Sequence, residues 1–494
     1  MDAFVIHGGN PLRGEIRTNG SKNAALPQLA AALLTDEPVT LRGVPHLADI
    51  GNMRRLLTEL GCDTPPPPPP PPPPHHSPYR SAHRSPPHSA PGGPAERSPG
   101  RAGSAVGAAA PAAVEPRGSD LALRVADESN SHARYEIVRT MRASVCVLGP
   151  LLAKRGIARV SMPGGCAIGD RPVDLHLRGL EALGARVTLE AGDITARAPA
   201  SGRLKGTSLF LGGPFGPTVL GTANVMSAAT LAEGTTVIES AACEPEVVDL
   251  ADLLIKMGAR IEGAGTPRIT VRGVESLGGA DHRVMPDRIE AGTHLLTAAI
   301  TRGDVVVHDC PLDALLAVAD VLGRIGLEPE PVTAPGGADD PRGWRTSVRL
   351  DATGSPRFRP AQVTTQPHPG FPTDLQAQTM ALLTLADGNS VVTERIFPER
   401  FLHVAELARM GARLHRQGPT VVVTGVGRLV GAPVMASDLR ASAGLVLAGL
   451  AAEGVTVVRR VYHLDRGYER LERALEPLGA SIERVDDRDL PMLE

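Results

Sequence analysis

Residues 228–258 read AATLAEGTTVIESAACEPEVVDLADLLIKMG, and variants of this stretch recur six times along the chain. An Ala/Leu-rich run ends at a small Glu-Gly turn, and TTVI then has the composition of a strand. After a loop, apolar residues return at helical spacing until a closing glycine. Glycine just past the last helical turn is the usual way to end a helix. The six copies close at Gly61, Gly184, Gly258, Gly326, Gly411 and Gly479. All spacings but the first fall between 68 and 85 residues. That period is too long for a solenoid and fits a βαβαββ unit repeated six times, an α/β protein.

The first spacing, 123 residues, is too long by about 50, and the sequence shows why. Residues 65–74 are all proline, and a Ser/Pro/Arg/His/Ala/Gly tract follows to about Gly118. Such a segment buries too little apolar surface to fold, and proline runs take extended polyproline II. Residues 64–118 therefore read as a disordered insertion inside the first unit. Its four histidines, His75, His76, His83 and His88, read as solvated, since nothing fixes their geometry for a metal.

Composition narrows the function. Aromatics make up 2% of the 494 residues, so the core must be Leu, Val, Ile and Ala. The formal charge of −3 argues against a general nucleic-acid or membrane-surface role, so any anion site must be a local concentration of arginines. Five scattered cysteines, without CxxC or metal-ligand spacing, fit a reducing compartment. The first residues lack the basic and apolar regions of a signal peptide, and no apolar run is long enough to span a bilayer. A soluble, cytoplasmic protein without a metal is expected.

The richest motif is PGGCAIGDRP at 163–172. Glycines let this loop bend and approach a ligand, and Arg171 favours a thiolate at Cys166 while offering a fork to phosphate or carboxylate. A glycine-rich turn around an inert cysteine is the alternative. In TNGSKNAALP (18–27), Ser21 or Asn19 is placed to cap a helix and Lys22 to sit near its positive end, either at an anion or simply in solvent. TMRAS (140–144) and DLRAS (438–442) put Arg142 and Arg440 at the start of apolar helices, and DRGYER (465–470) carries Arg466. Guanidinium forks held there suit a carboxylate or phosphate, or else a structural carboxylate. Asp374, after the turn FPT, is either a general base toward a hydroxyl or a helix cap. PDRIE (286–290) has the same character and falls between the third and fourth units.

Taken together, SKNAALP, TMRASVCVLGP, PGGCAIGDRPVDLHL, AATLAEGTTVIESAACEPEVVD, PDRIEAGT, HPGFPTDLQAQ, ERFLHVAELARMGA (399–412), SDLRASAGLVLAG and HLDRGYER resemble the UDP-N-acetylglucosamine 1-carboxyvinyltransferases, the enolpyruvyl transferases of peptidoglycan synthesis. The resemblance covers the chain outside 64–118. It implies an inside-out α/β barrel of two globular domains with three repeats each. One domain would span 22–284; the other would combine 1–21 with 285–494. The implied reaction moves enolpyruvyl from phosphoenolpyruvate to the 3′-hydroxyl of the sugar nucleotide by addition and elimination. Cys166 would protonate the vinyl carbon and Asp374 would take the hydroxyl proton. Lys22, Arg142, Arg171, Arg440 and Arg466 would hold phosphate and carboxylate, so no metal or other cofactor is implied.

By the same match, Asn23 would help hold the sugar nucleotide. Arg171, Pro172, Val173, Asp174 and Leu175 would receive its uridine diphosphate, with Ile396 contributing and Thr218, Val219 and Gly221 nearby. Small-molecule substrates and no obligate protein partner are expected. Two departures stand out: the insertion, and a stretch after Lys205 a few residues longer than the family pattern. Cys243 also stands where a larger polar residue is expected. The shikimate-pathway enolpyruvyl transferase lacks the cysteine loop. A catalytically idle paralogue would have lost Cys166, Asp374 or an arginine, and all are present.

Overall fold

The computed structural model describes residues 1–64, 118–162, 173–332, 340, 342–355 and 357–490. Most of the 64–118 insertion and the whole 163–172 loop, with Cys166, Arg171 and Pro172, lie outside them. The six repeats are present. Every one of the six closing glycines has a positive φ, between 83° and 107°, which an L side chain adopts only with strain.

Each repeat contributes to a four-stranded sheet, and the six sheets are wired alike. In Ser208–Phe210, Thr235–Glu239, Arg268–Arg272 and Arg260–Glu262, the first pair is parallel and the other two are antiparallel. Three of the sheets are completed by distant chain. Arg13–Arg17 pairs in parallel with Asp304–Cys310. Ala280–Arg283 pairs in parallel with Val39–Val44, closing the first three units on themselves. Asp2–His7 lies between Val455–Arg459 and Ser481–Asp486 and supplies the strand that the last unit lacks.

Within each repeat the two helices differ. The first helices are hydrophobic all round and sink into the core, as with Arg288–Ile300, all of whose residues are buried. The second helices, such as Pro245–Lys256, are apolar on one face only. Helices sit inside and sheets outside: an inside-out α/β barrel of two globular domains, three repeats in each. Close approach of the inner helices requires small residues. A Cβ on Gly444 would stand 2.9 Å from the backbone of Ala377. The buried apolar side chains form two clusters, one running from Ala24 to Met285 and the other joining Phe4–Ile16 to Ile289–Ala480.

The chain passes between the clusters twice, and the two passages are bonded to each other. Gly20 and Pro286 form an antiparallel bridge, the Ser21 N–H donates to the Met285 carbonyl at 2.7 Å, and the Asp287 N–H donates to that of Asn19 at 2.8 Å.

Candidate active site

Ser21 caps the helix Lys22–Ala31, its hydroxyl accepting from the Ala24 N–H at 3.3 Å. This fixes Lys22 in the first turn, where its side chain is buried. Its Nζ donates to Asp49 Oδ2 at 3.2 Å, and Arg466 Nε donates to Asp49 Oδ1 at 3.1 Å. Asp49 opens the helix Ala48–Glu59 in the first cluster, whereas Arg466 ends the 3₁₀ turn Val461–Arg466 in the second. One carboxylate thus ties two cations from opposite halves. Burial lowers the Lys22 pKa; Asp49 opposes this, while Arg440 and Arg466 add to it.

Asp374 does not cap a helix. It lies in the 3₁₀ turn Thr373–Leu375, and its Oδ1 accepts from Arg400 Nη1 at 2.8 Å. Arg400 also donates to Thr373 Oγ1 at 3.0 Å, which sets the angle of the carboxylate. Arg440, second residue of Leu439–Ala451, is 1% exposed. None of its Nε, Nη1 and Nη2 has a hydrogen-bond partner among the described residues. Asp374 Oδ2 stands 3.7 Å from Nε, and the guanidinium carbon lies 5.1 Å over the Tyr468 ring. The Tyr468 hydroxyl is held by Thr293 at 2.8 Å and Gln378 at 3.2 Å. Tyr468, Asp374 and Asp287 all favour the Arg440 charge, yet a buried guanidinium paired this loosely can still take a further acceptor.

The PDRIE segment holds the floor. Asp287 caps Arg288–Ile300, accepting from the Ile289 and Glu290 N–H groups, and Asn19 donates to Glu290 Oε1 at 2.8 Å rather than capping its own helix. Buried Arg288 donates to Glu246 Oε1 at 3.0 Å. Burial raises the pKa of neighbouring Glu244, and one of its oxygens accepts from the His368 N–H at 3.3 Å.

Asn23 is half-buried beside Lys22. Arg142 opens the 3₁₀ turn Arg142–Val147, which packs on both Lys22–Ala31 and Val219–Ala229. Burial, then the Arg142 charge, pushes the His176 pKa down to about 3, and the ring stays neutral, 2.8 Å from the Asn224 amide. Val173 is buried, Asp174 is exposed at the start of Asp174–Ala182, and Leu175 is half-buried. Thr218 caps Val219–Ala229, accepting from the Gly221 N–H at 3.2 Å. The Ile396 N–H donates to Glu394 Oε1, and Glu394 Oε2 accepts from Thr373, beside Asp374. Sequence reasoning missed Asp49 and Arg400. Asp49 sits in no distinctive motif, and Arg400 stands in ERFLHVAELARMGA without an assigned role; only the fold reveals which cations and carboxylates they meet.

Among the described residues no group of His, Cys, Asp or Glu is arranged to hold a metal, and no helix is long and apolar enough to cross a membrane. The profile of the family EPSP synthase (3-phosphoshikimate 1-carboxyvinyltransferase) matches residues 6–65 and 115–475. Among solved structures, the enolpyruvyl transferase NikO from Streptomyces tendae superposes with a TM-score of 0.76 at 23% identity, over 98% of this chain and 99% of that one. EPSP synthase from Acinetobacter baumannii gives 0.67 at 16% identity, over 98% and 100%; these two speak for the fold alone. Curated relatives are much nearer in sequence. A UDP-N-acetylglucosamine 1-carboxyvinyltransferase of Anaeromyxobacter sp. (strain Fw109-5) is 50% identical over 98% of this chain and 99% of its own length. Those of Nitratidesulfovibrio vulgaris and Granulibacter bethesdensis are 48% and 47% identical, over 99% and 98% of this chain and the whole of theirs. The chain belongs to the EPSP synthase family of enolpyruvyl transferases and, within it, to the UDP-N-acetylglucosamine 1-carboxyvinyltransferases.

Proposed function

We propose that this chain transfers the enolpyruvyl group of phosphoenolpyruvate to the 3′-hydroxyl of UDP-N-acetylglucosamine, releasing phosphate, as the first committed step of peptidoglycan precursor synthesis. The observation that carries this reading is Arg440, buried with all three nitrogens lacking a hydrogen-bond partner among the described residues and facing Asp374. A polyanion with a hydroxyl to deprotonate satisfies both groups at once.

In the addition step, the sugar oxygen bonds to C2 of phosphoenolpyruvate as Asp374 takes its proton and the Cys166 thiol protonates the vinyl carbon. In the elimination step, the C–O bond to phosphate breaks and the new methyl group gives up a proton, restoring the double bond. Lys22, Arg142, Arg171, Arg440 and Arg466 neutralise phosphate and carboxylate, which is electrostatic stabilisation without a metal. Asn23 orients the sugar nucleotide. The segment Arg171–Leu175, with Thr218, Val219, Gly221 and Ile396, receives its diphosphate and uridine. Asp49 and Arg400 act as positioning residues, holding Lys22, Arg466 and Asp374.

We assign the catalytic halves to 22–284 and to 1–21 with 285–494, a division supported by the two apolar clusters. The reaction is placed in the cytoplasm, without nucleic acid, membrane or obligate protein partner. The four free cysteines among the described residues suit that compartment. The test is phosphate release from phosphoenolpyruvate, with and without UDP-N-acetylglucosamine, on the wild type and Cys166→Ala. Release should require the sugar nucleotide and collapse in the variant. A folded wild type that binds the sugar nucleotide and releases nothing would overturn the reading in favour of an idle paralogue.

A further inference from the structure

Under the Arg440 guanidinium, three buried polar side chains form one chain of hydrogen bonds. Thr293, Gln378 and Tyr468 are each at most 1% exposed. They come from Arg288–Ile300, from the helix Gln376–Leu383 and from the DRGYER segment. Thr293 Oγ1 donates its one proton to the Ile289 carbonyl at 2.8 Å, so toward Tyr468, also at 2.8 Å, it can only accept. The Tyr468 hydroxyl therefore donates to Thr293 and accepts from Gln378 Nε2 at 3.2 Å. Burial raises the Tyr468 pKa, so the hydroxyl keeps the proton that it donates. The other N–H of Gln378 Nε2 donates to the Asp374 carbonyl at 3.0 Å.

The chain runs in one direction, from amide to phenol to threonine to helix backbone, and it joins two groups of the site. The Tyr468 ring carries the guanidinium carbon of Arg440 at 5.1 Å. The Gln378 amide reaches back to Asp374, whose carboxylate stands 3.7 Å from Arg440 Nε. Packing alone does not ask for an amide here. Gln378 Oε1 is buried with no hydrogen-bond partner among the described residues, a cost that a methionine of similar size would not carry. A buried polar chain whose directions are set holds one arrangement of the elements that it joins.

We infer that Tyr468 and Gln378 are positioning residues, which hold the Arg440 guanidinium and the Asp374 turn in register with each other. Their role rests on the reaction proposed above, in which both of those groups act on the substrates. Tyr468 and Gln378 are themselves covered and act only through Arg440 and Asp374. Without the phenol hydroxyl, the ring loses its anchor and the guanidinium tilts with it. Without the amide, the Asp374 turn loses its tie to the ring as well.

The experiment measures kcat and KM by phosphate release for the wild type, Tyr468→Phe, Gln378→Met, their double variant, and Arg440→Met with and without Tyr468→Phe. Displacing a reacting group by up to about an ångström predicts that kcat falls roughly 10- to 100-fold in Tyr468→Phe and in Gln378→Met, while the KM for UDP-N-acetylglucosamine stays within about twofold. One chain is broken in both, so the double variant should fall no further than Gln378→Met. In Arg440→Met, adding Tyr468→Phe should change kcat by less than about twofold. Tyr468→Phe should fold, because Gln378 Nε2 also has Thr293 Oγ1 within reach at 3.2 Å. A lowered denaturant midpoint in Tyr468→Phe with wild-type kcat per folded molecule overturns the inference. So does an equal loss from Tyr468→Phe whether or not Arg440 is present. A wild type that releases no phosphate overturns the reaction itself, and the positioning role with it, so the two failures are told apart.

Discussion

Two clusters of charge share one region of this molecule and are built on opposite plans. In the Lys22–Asp49–Arg466 cluster the protein supplies its own anion, so two cations are held at 3.2 and 3.1 Å from one carboxylate. In the Asp374–Arg400–Arg440 cluster, Arg400 takes the carboxylate and Arg440 is left with a 3.7 Å ion pair and an aromatic face. The first ties the halves together before any ligand arrives, so an anion met by Lys22 or Arg466 must share them with Asp49. The second leaves Arg440 only loosely paired, so it can meet an anion without first giving up a strong partner.

Replacing Arg440 by Met is the strongest way to break this contrast. Loss of a buried donor aimed at developing charge should lower kcat/KM by about 10²–10³. If Arg440 is held for a ligand, denaturant unfolding should show no loss of stability, because an underserved buried charge has gone. A stability loss as large as that of a core truncation would make Arg440 a structural residue like those around Asp49. Asp49→Asn probes the other plan. It should cost about 2–3 kcal/mol, below the value for a fully buried pair because Arg466 is partly exposed. Removing the partner that holds up the Lys22 pKa should also move the alkaline limb of activity to lower pH, whereas Arg440→Met should move it higher.

A smaller effect concerns three histidines kept neutral by burial. The pKa of His176 is pushed down to about 3, and those of His368 and His403 to about 4. Each has a folded pKa below its unfolded one, so between those values the unfolded chain binds more protons. Stability should therefore fall as pH drops from about 6.5 to 4, by at most about 1.4 kcal/mol per unit for each histidine. His403 is buried within reach of the charges of Arg400 and Asp438, so His403→Phe should flatten the slope while sparing the Lys22 cluster.

The smallest effect is expected at the buried thiols. Burial pushes Cys146 and Cys310 up to about 12, and Cys62 up to about 11. At pH 7.5 iodoacetamide should label one residue rapidly, Cys166, and Cys166→Ala should abolish that labelling. Cys146→Ala should leave it unchanged.

The fold was legible because its signal is periodic. A closing glycine with forced positive φ and a helix apolar all round both leave marks in the local sequence. The permuted strands were less visible: nothing in DAFVIH says that it pairs with Val455–Arg459, at the far end of the sequence. At the site, Lys22, Asp374, Arg440 and Arg466 stood in recognisable motifs, and the structure places them together. Asp49 did not, and Arg400 stood in one without a role, since a carboxylate in a first helical turn and an arginine after a phenylalanine turn are ordinary by themselves. Their importance comes from distance in space, which only the packing of the two halves sets. For Asp374 the sequence left base and cap both open; the 3₁₀ turn decides against the cap.

The placement of Asp2–His7 has a consequence for how the molecule is made. The strand leaves the ribosome long before both its neighbours, Val455–Arg459 and Ser481–Asp486. At ordinary rates of synthesis it waits roughly 25–95 s with its apolar residues Ala3, Phe4 and Ile6 uncovered. Meanwhile the first three units, closed on themselves by Ala280–Arg283, have all their strands and can fold. Folding thus runs ahead of the strand, and Asp2–His7 is sheltered only after the units that follow it are made.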